Sequence, residues 1–235
     1  MGVAGILQRM SPKQRVGEAC ISHLKSGMVV GLGTGSTAEF FLQALGAAIK
    51  SGQLTNIRGI PTSRKSEQRA MHLGIPLTTL AECPVIDVTI DGADEIAPGL
   101  QLIKGLGGAL LREKIVAQNS RKMIVIADAS KESPQLGLKS PLPIEVVTFS
   151  HECQAAFLRT LGCEPVLRKS PDGGVFVTDN GNYLYDCRFT GGIADPAALQ
   201  ARLVDRAGIV DTGFFLGIAS LALIADETGV RQRTS

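Results

Sequence analysis

Tryptophan is absent and aromatic residues make up only 4% of the chain, so it offers no platform on which bases or sugar rings could stack. Charge of neither sign dominates: 24 Lys and Arg stand against 22 Asp and Glu. The formal net charge of +2 supplies no field to steer a polyanion, which argues against nucleic acid as a partner. Cysteine is sparse. The five present (Cys20, Cys83, Cys153, Cys163, Cys187) form no C-x-x-C pair, the pattern of reduced thiols rather than a disulfide framework. His23, His72 and His151 are scattered, so no structural zinc site is expected. Long apolar runs are missing too. The longest, Gly213 to Ala225, is too short to span a bilayer and is expected in the core. Met1-Gly2 is followed by Ile6, where a myristoylation pattern wants Ser or Thr, and no signal-peptide pattern opens the chain. The expectation is a cytoplasmic protein without membrane partners, or a plastid-stroma protein if a transit peptide has been removed.

Glycine, by contrast, is abundant: 27 of 235 residues, about 11% against a usual ~7%. No collagen-like period goes with it, so these glycines are expected to build loops in an enzyme-like α/β protein. With 44% hydrophobic residues, the chain can bury a core in one large domain or two unequal ones. Ser11-Pro12 offers an N-cap and a first-turn proline, and Val16, Cys20 and Leu24 follow at helical spacing until Gly27. Met28 to Leu32 is a buried-strand run ending in Gly33-Thr-Gly-Ser-Thr37, and Ser36-x-x-Glu39 predicts a capping box opening a helix to about Lys50. Further strands are expected at 56–60, 85–90, 102–104 and 122–127, with helices at 63–73 and from the 105–108 glycine turn to about Asn119. This alternation predicts a parallel α/β sheet.

Composition then shifts. Pro134, Gly137, Pro141 and Pro143 mark residues 131–143 as a linker. Beyond it the spacing predicts strand (144–149), helix (152–161), strands (164–169, 174–178, 183–187) and helix (196–206), with Asp179-Asn-Gly-Asn182 as a hairpin turn. The expected organisation is one domain of residues 1–131 and 208–235 with a smaller α+β domain, 132–207, inserted.

Three segments carry chemistry. In Gly33-Thr-Gly-Ser-Thr37, backbone amides, three hydroxyls and a helix N-terminus can face an anion; the plainer reading is a tight turn whose hydroxyls cap the helix. Asp91-Gly-Ala-Asp-Glu95 crowds three carboxylates past a buried strand, where open α/β sheets place ligands and where like charges raise one another's pKa; the plainer reading is a solvated acidic turn. Lys104-Gly-Leu-Gly-Gly108 followed by Glu113 combines a cation, free amides and a carboxylate. These are the parts for taking a proton from a carbon next to a carbonyl, the base accepting it while cation and amides hold the enediolate oxygen. Its plainer reading is an ordinary charged helix face. A glutamate base works near neutral pH if burial lifts its pKa, so Glu113 is expected to be buried and close to Lys104. A Walker A loop is excluded, since no Gly-Lys-Ser/Thr follows Gly33. The dinucleotide fingerprint half fits at Gly33-x-Gly35-x-x-Ala38, but Pro61 to Lys65 stands where a ribose-binding acid belongs.

Together these strings resemble the type A family of ribose-5-phosphate isomerases, nearest in wording to its plant-type branch. Gly31 to Thr37, Asp91 to Glu95, Lys104 to Lys114, Ala127 to Lys131, Pro143 to Val146 and Val177 to Asn182 follow the family's order over nearly the whole chain. The resemblance implies a Rossmann-like domain with an inserted ferredoxin-like domain, assembled as a homodimer or homotetramer. It implies interconversion of D-ribose 5-phosphate and D-ribulose 5-phosphate through a cis-enediolate, in the pentose phosphate pathway and without metal or cofactor. By position, Glu113 is then the base and Lys104 the charge-stabilising group. Asp91 and Asp94 are the sugar-contacting acids, one of them helping to open the furanose ring. Substrate contacts fall to Thr34, Gly35, Ser36, Thr37, Gly92, Ala93, Gly105, Leu106, Gly107 and Lys131. One departure stands out: the family's Ser/Thr-Ser-x-x-Thr is Thr62-Ser-Arg-Lys-Ser66 here. An NADP-dependent reductase and a sugar-phosphate-sensing regulatory module are the alternatives; the latter lacks a DNA-binding segment, since one helix precedes the first strand.

Overall fold

Short apolar runs bounded by glycine become the strands of a parallel sheet. The computed structural model describes residues 10–234; the Met1-Gly2 and signal-peptide patterns lie outside them. The described residues form two compact units: residues 10–93, 115–130 and 218–234, and residues 94–114 with 131–217.

In the first unit, Ser11 caps α1 (Pro12–Ala19) by accepting from the Gln14 amide. The sheet strands β1 (Val29–Leu32), β2 (Arg58–Pro61), β3 (Val88–Asp91), β6 (Met123–Asp128), β12 (Ala219–Ala225) and β13 (Val230–Thr234) lie in the order β13-β12-β6-β3-β1-β2. All pairs are parallel except the β12–β13 edge. Helices α2 (Ser36–Lys50) and α3 (Arg64–His72) connect the first three strands. Phe41, Leu45, Val30, Ile90 and Ile126 centre the core. Burial pushes the Cys20 thiol up to about 12, so it acts as a small apolar residue. The chain leaves β1 for β2 on one side and has β3 on the other, so the loops after β1 and β3 meet at the topological switch point.

The second unit contains β4 (Glu95–Ala97), β5 (Gln101–Ile103) and the opening of α4 (Leu110–Gln118), whose last turn lies in the first unit. Then come β7 (Leu142–Val146), α5 (Glu152–Thr160), β8 (Cys163–Leu167), β9 (Tyr183–Phe189), α6 (Pro196–Val204), β10 (Ile209–Thr212) and β11 (Phe214–Phe215). The antiparallel order β10-β7-β9-β8 with two helices is the ferredoxin-like split βαβ arrangement. A second antiparallel sheet, β11-β5-β4, pairs Phe214 and Phe215 with Ile103 and Leu102.

Three expectations meet differences here. Residues 94–114, expected in the parallel-sheet domain, group with the α+β unit because β4 and β5 pair with each other and β11. Residues 131–143 are not a free linker. The fully buried Glu95 accepts from the amides of Gly137, Lys139 and Ser140 at 2.9, 3.1 and 3.2 Å, and Ser133 donates its amide to Ile96. The strand over 174–178 reduces to one bridge, Lys169 to Val175. Phe176 packs against Gly108 instead, and Val177 is 54% exposed.

Candidate active site

In the first unit the glycine turn after β1 is dictated by close packing. A Cβ on Gly33 would lie 2.3 Å from Asp91 Oδ1 and 2.6 Å from the Asp91 Cα, so no side chain fits there. That proximity lets Asp91, fully buried at the end of β3, accept from the Thr34 amide at 2.9 Å and the Gly92 amide at 2.7 Å. Gly35 has φ +116 and is the N-cap of α2, with no side-chain cap on the helix. The predicted capping box at Ser36 and Glu39 therefore does not form. Ser36 is instead the first helical residue and accepts from Lys13 Nζ at 3.0 Å, while Glu39 pairs with Arg69 at 2.6 Å.

The capping box sits one helix later, on Ser63 and Ser66 of α3. Thr34 Oγ1 lies 2.7 Å from Thr62 Oγ1 and donates to Ser63 Oγ at 2.8 Å, so this buried hydroxyl cluster orients the turn. The sequence reading left Thr62, Ser63 and Ser66 out of the site; their hydroxyls after β2 were the available signal. Gly33, Thr34, Gly35 and Ser36 line a cavity of about 360 Å³ with Lys65 and Ser66. Thr37 is buried in the first turn of α2.

In the second unit, β5 ends at Ile103 and the Lys104 amide donates to the Gly213 carbonyl at 2.8 Å. Gly105 (φ +104) and Gly108 (φ +83) then turn the chain, closed by the Gly108 amide on the Gly105 carbonyl at 2.9 Å, into the first turn of α4. One turn along that helix is Glu113. Lys104 and Glu113 are 2% and 4% exposed, and Nζ donates to Oε1 at 3.3 Å. Burying this pair costs several kcal/mol of hydration per ion, a cost that function rather than stability explains. Lys104 also lies 5.3 Å from the centroid of Phe215. Asp94 accepts from the Leu106 amide at 2.9 Å. Lys131, partly exposed at the end of a short 3-10 turn (Ala129–Lys131), makes none of the hydrogen bonds that tie these residues together.

The carboxylates of Asp91, Asp94 and Glu95 thus serve three different segments rather than forming one acidic turn. Among the described residues no three His, Cys, Asp or Glu side chains group so as to hold a metal ion, and no helix is long and apolar enough to cross a membrane.

Lys114, missed in the sequence because it looks like surface charge, is also buried. It pairs with Asp211 at 2.5 Å, donates to the Thr212 carbonyl at 2.8 Å and lies 5.3 Å from the Phe215 centroid. Burial holds its ammonium below the usual 10.5, partly offset by the Asp211 charge. The unfolded chain therefore holds this proton more tightly, so Lys114 adds stability as pH climbs through the window just under 10.5. Asp211→Asn removes the compensating charge and is expected to cost about 3 kcal/mol. Urea unfolding at pH 7 checks this; a loss below about 0.5 kcal/mol, the size of a surface change, would show that the pair is not buried in effect.

A buried carboxylate beside a buried ammonium and a glycine turn supplies the groups that acid–base proton transfer requires. Comparison with known proteins makes the class specific. Residues 58–229 match the family described as ribose 5-phosphate isomerase A (phosphoriboisomerase A). The chain is 51% identical over 218 residues to "Ribose-5-phosphate isomerase A" of Roseiflexus castenholzii, covering 93% of each chain. It is 46% identical to the Arabidopsis thaliana protein named "Probable ribose-5-phosphate isomerase 2", over 90% of this chain and 82% of that one. A solved D-ribose-5-phosphate isomerase in complex with phospho-erythronic acid superposes with a TM-score of 0.92 at 33% identity, covering 100% of both chains. The chain belongs to the ribose 5-phosphate isomerase A family.

Proposed function

We propose that the chain interconverts D-ribose 5-phosphate and D-ribulose 5-phosphate with Glu113 as the base that carries the proton between C2 and C1. The observation that carries this reading is the buried Lys104–Glu113 pair at 3.3 Å, next to the 105–108 turn. In the open-chain aldose the C1 carbonyl acidifies the C2 hydrogen. Glu113 takes that proton, the electron pair moves into a C1–C2 double bond, and O1 gains negative charge. Lys104 and the Gly107 amide stabilise that oxygen, since fixed donors in a dry site need no reorganisation. Return of the proton to C1, with transfer of the O2 proton to O1, gives the ketose and restores the carboxylate. The phospho-erythronic acid bound by the related enzyme carries two oxygens on a planar carbon. It thus resembles the charge and flatness of a cis-enediolate.

In the same reading Asp91 and Asp94 contact the sugar and one assists ring opening. Thr34, Gly35, Ser36 and Thr37, with Gly92, Ala93 and Lys131, make the remaining substrate contacts, and Thr62, Ser63 and Ser66 hold the Thr34 turn in shape. The assembly is a homodimer or homotetramer in the cytoplasm, and the reaction needs no metal.

The test is turnover of ribose 5-phosphate deuterated at C2, with EDTA present. The expected result is a primary isotope effect and a ketose that has lost part of the label to water, because a carboxylic acid exchanges its proton. A ketose retaining all of the label at C1, with activity that EDTA abolishes, would mean metal-assisted hydride transfer and would overturn the base.

A further inference from the structure

We infer that Arg168 is a positioning residue for the 105–108 turn, holding the Gly107 amide toward the reacting oxygen. This rests on the proton-transfer reading above. Residues 168–182 join β8 to β9, a connection far longer than the two to five residues a hairpin needs. Within the second unit this connection grips the segment from Lys104 to Glu113 at three points. At its start, Arg168 Nη1 donates to the carbonyl oxygens of Gly105 at 3.0 Å and Leu106 at 3.1 Å. In its middle, the Phe176 ring lies 2.4 Å from where a Cβ on Gly108 would be. At its end, the Asp179 carbonyl and Asn180 Oδ1 accept from Arg112 at 3.0 and 2.9 Å, the neighbour of Glu113.

That end is itself tied down. Oε1 of the fully buried Glu145 accepts from Thr178, Asn180 and Asn182 at 2.9, 3.2 and 2.9 Å. Arg168 supplies geometry rather than charge. Its Nε and Nη2 are occupied by the Asp186 carboxylate, the Nε bond being 2.8 Å, which leaves Nη1 for the turn.

Planarity explains what those two bonds accomplish. In a trans peptide the C=O and N–H point in opposite directions. Holding the Gly105 carbonyl on Arg168 aims the Leu106 amide the other way, where Asp94 accepts it at 2.9 Å. Holding the Leu106 carbonyl aims the Gly107 amide the same way. Glycines at 105, 107 and 108 would otherwise let these peptides flip at little cost, presenting a carbonyl oxygen where the enediolate needs a donor. Lysine cannot replace this arginine, because one ammonium lacks the planar fork that meets a carboxylate and two carbonyls at once.

The test uses Arg168→Lys and Arg168→Ala in the full-length enzyme, with Glu113→Gln as the reference. The expected result is a kcat lowered on the order of 10²-fold in the alanine variant, the scale of a misplaced donor. KM should stay within about 3-fold, since the loss is confined to the transition state. Millimolar methylguanidinium should restore part of that kcat while leaving Arg168→Lys and Glu113→Gln unrescued. A lysine variant with the parent's kcat overturns the inference, and so does a loss that methylguanidinium does not move in a folded alanine variant. Should the alanine variant show no cooperative melting, the lysine variant, which keeps a cation beside Asp186, decides by its kcat alone. A Glu113→Gln enzyme as active as its parent would instead mark failure of the site reading. An inactive Glu113→Gln beside an intact Arg168→Lys would mark failure of the clamp only.

Discussion

Glu113→Gln is expected to lower kcat by about 10³-fold, within the 10²–10⁴ range that removal of a positioned base produces. The glutamine keeps the side chain's shape, and its carbonyl oxygen can still accept from Lys104, which donates to Glu113 at 3.3 Å. What it cannot do is take a proton from carbon. KM should therefore change little, because substrate binding and the fold are left in place while an interaction made during the chemical step is lost. The measurement is steady-state conversion of ribose 5-phosphate to the ketose, with thermal unfolding as the control for integrity. Glu113→Asp offers the complementary case: the charge survives, but one methylene fewer withdraws the carboxylate, and a misplacement of this order costs on the order of 10²-fold. A glutamine variant that turns over like its parent would remove Glu113 from the reaction altogether.

The parts of this site that were legible in the sequence are those written in consecutive residues. The strand–glycine turn–helix of Val29 to Lys50 declares itself through an apolar run, two glycines and a helical pattern. Lys104 and Glu113 are nine apart across a glycine turn, so short-range geometry brings them together. What stayed hidden depends on partners far along the chain. Ser36-x-x-Glu39 carries the capping-box signature and Ser63-x-x-Ser66 does not, yet it is Ser63 that forms the box. Gly35 already occupies the N-cap of α2 with φ +116, and Lys13 takes the Ser36 hydroxyl. The acidic stretch at 91–95 looked like one cluster, whereas Glu95 opens β4 and serves amides more than forty residues away. Residues 174–178 carry the apolar, β-branched run of a strand, but Phe176 is used against Gly108, and no periodicity records that contact. Arg168, Lys114 and Glu145 look like surface charges in one dimension because burial of a charge is decided by its partner.

Lys104→Met separates charge stabilisation from binding. Methionine matches the length and apolar stem of a side chain that is 2% exposed and already packed on Phe215 at 5.3 Å, so the fold has an acceptable replacement. The variant loses the one buried ammonium that donates to Glu113 Oε1. Loss of a single preorganised donor at a developing oxyanion typically costs 10²–10³ in kcat, and a fall of about that size is expected here. The stronger test compares ligands. A phosphorylated aldonic acid such as 4-phosphoerythronate carries the negative charge that the aldose develops only in transit. Its affinity should fall roughly in step with kcat/KM, while affinity for ribose 5-phosphate itself falls far less. That parallel is the mark of a group complementary to the transition state. If the aldonic acid and the aldose weaken by the same factor, Lys104 merely binds substrate, and the enediolate charge must be held by the Gly107 amide instead.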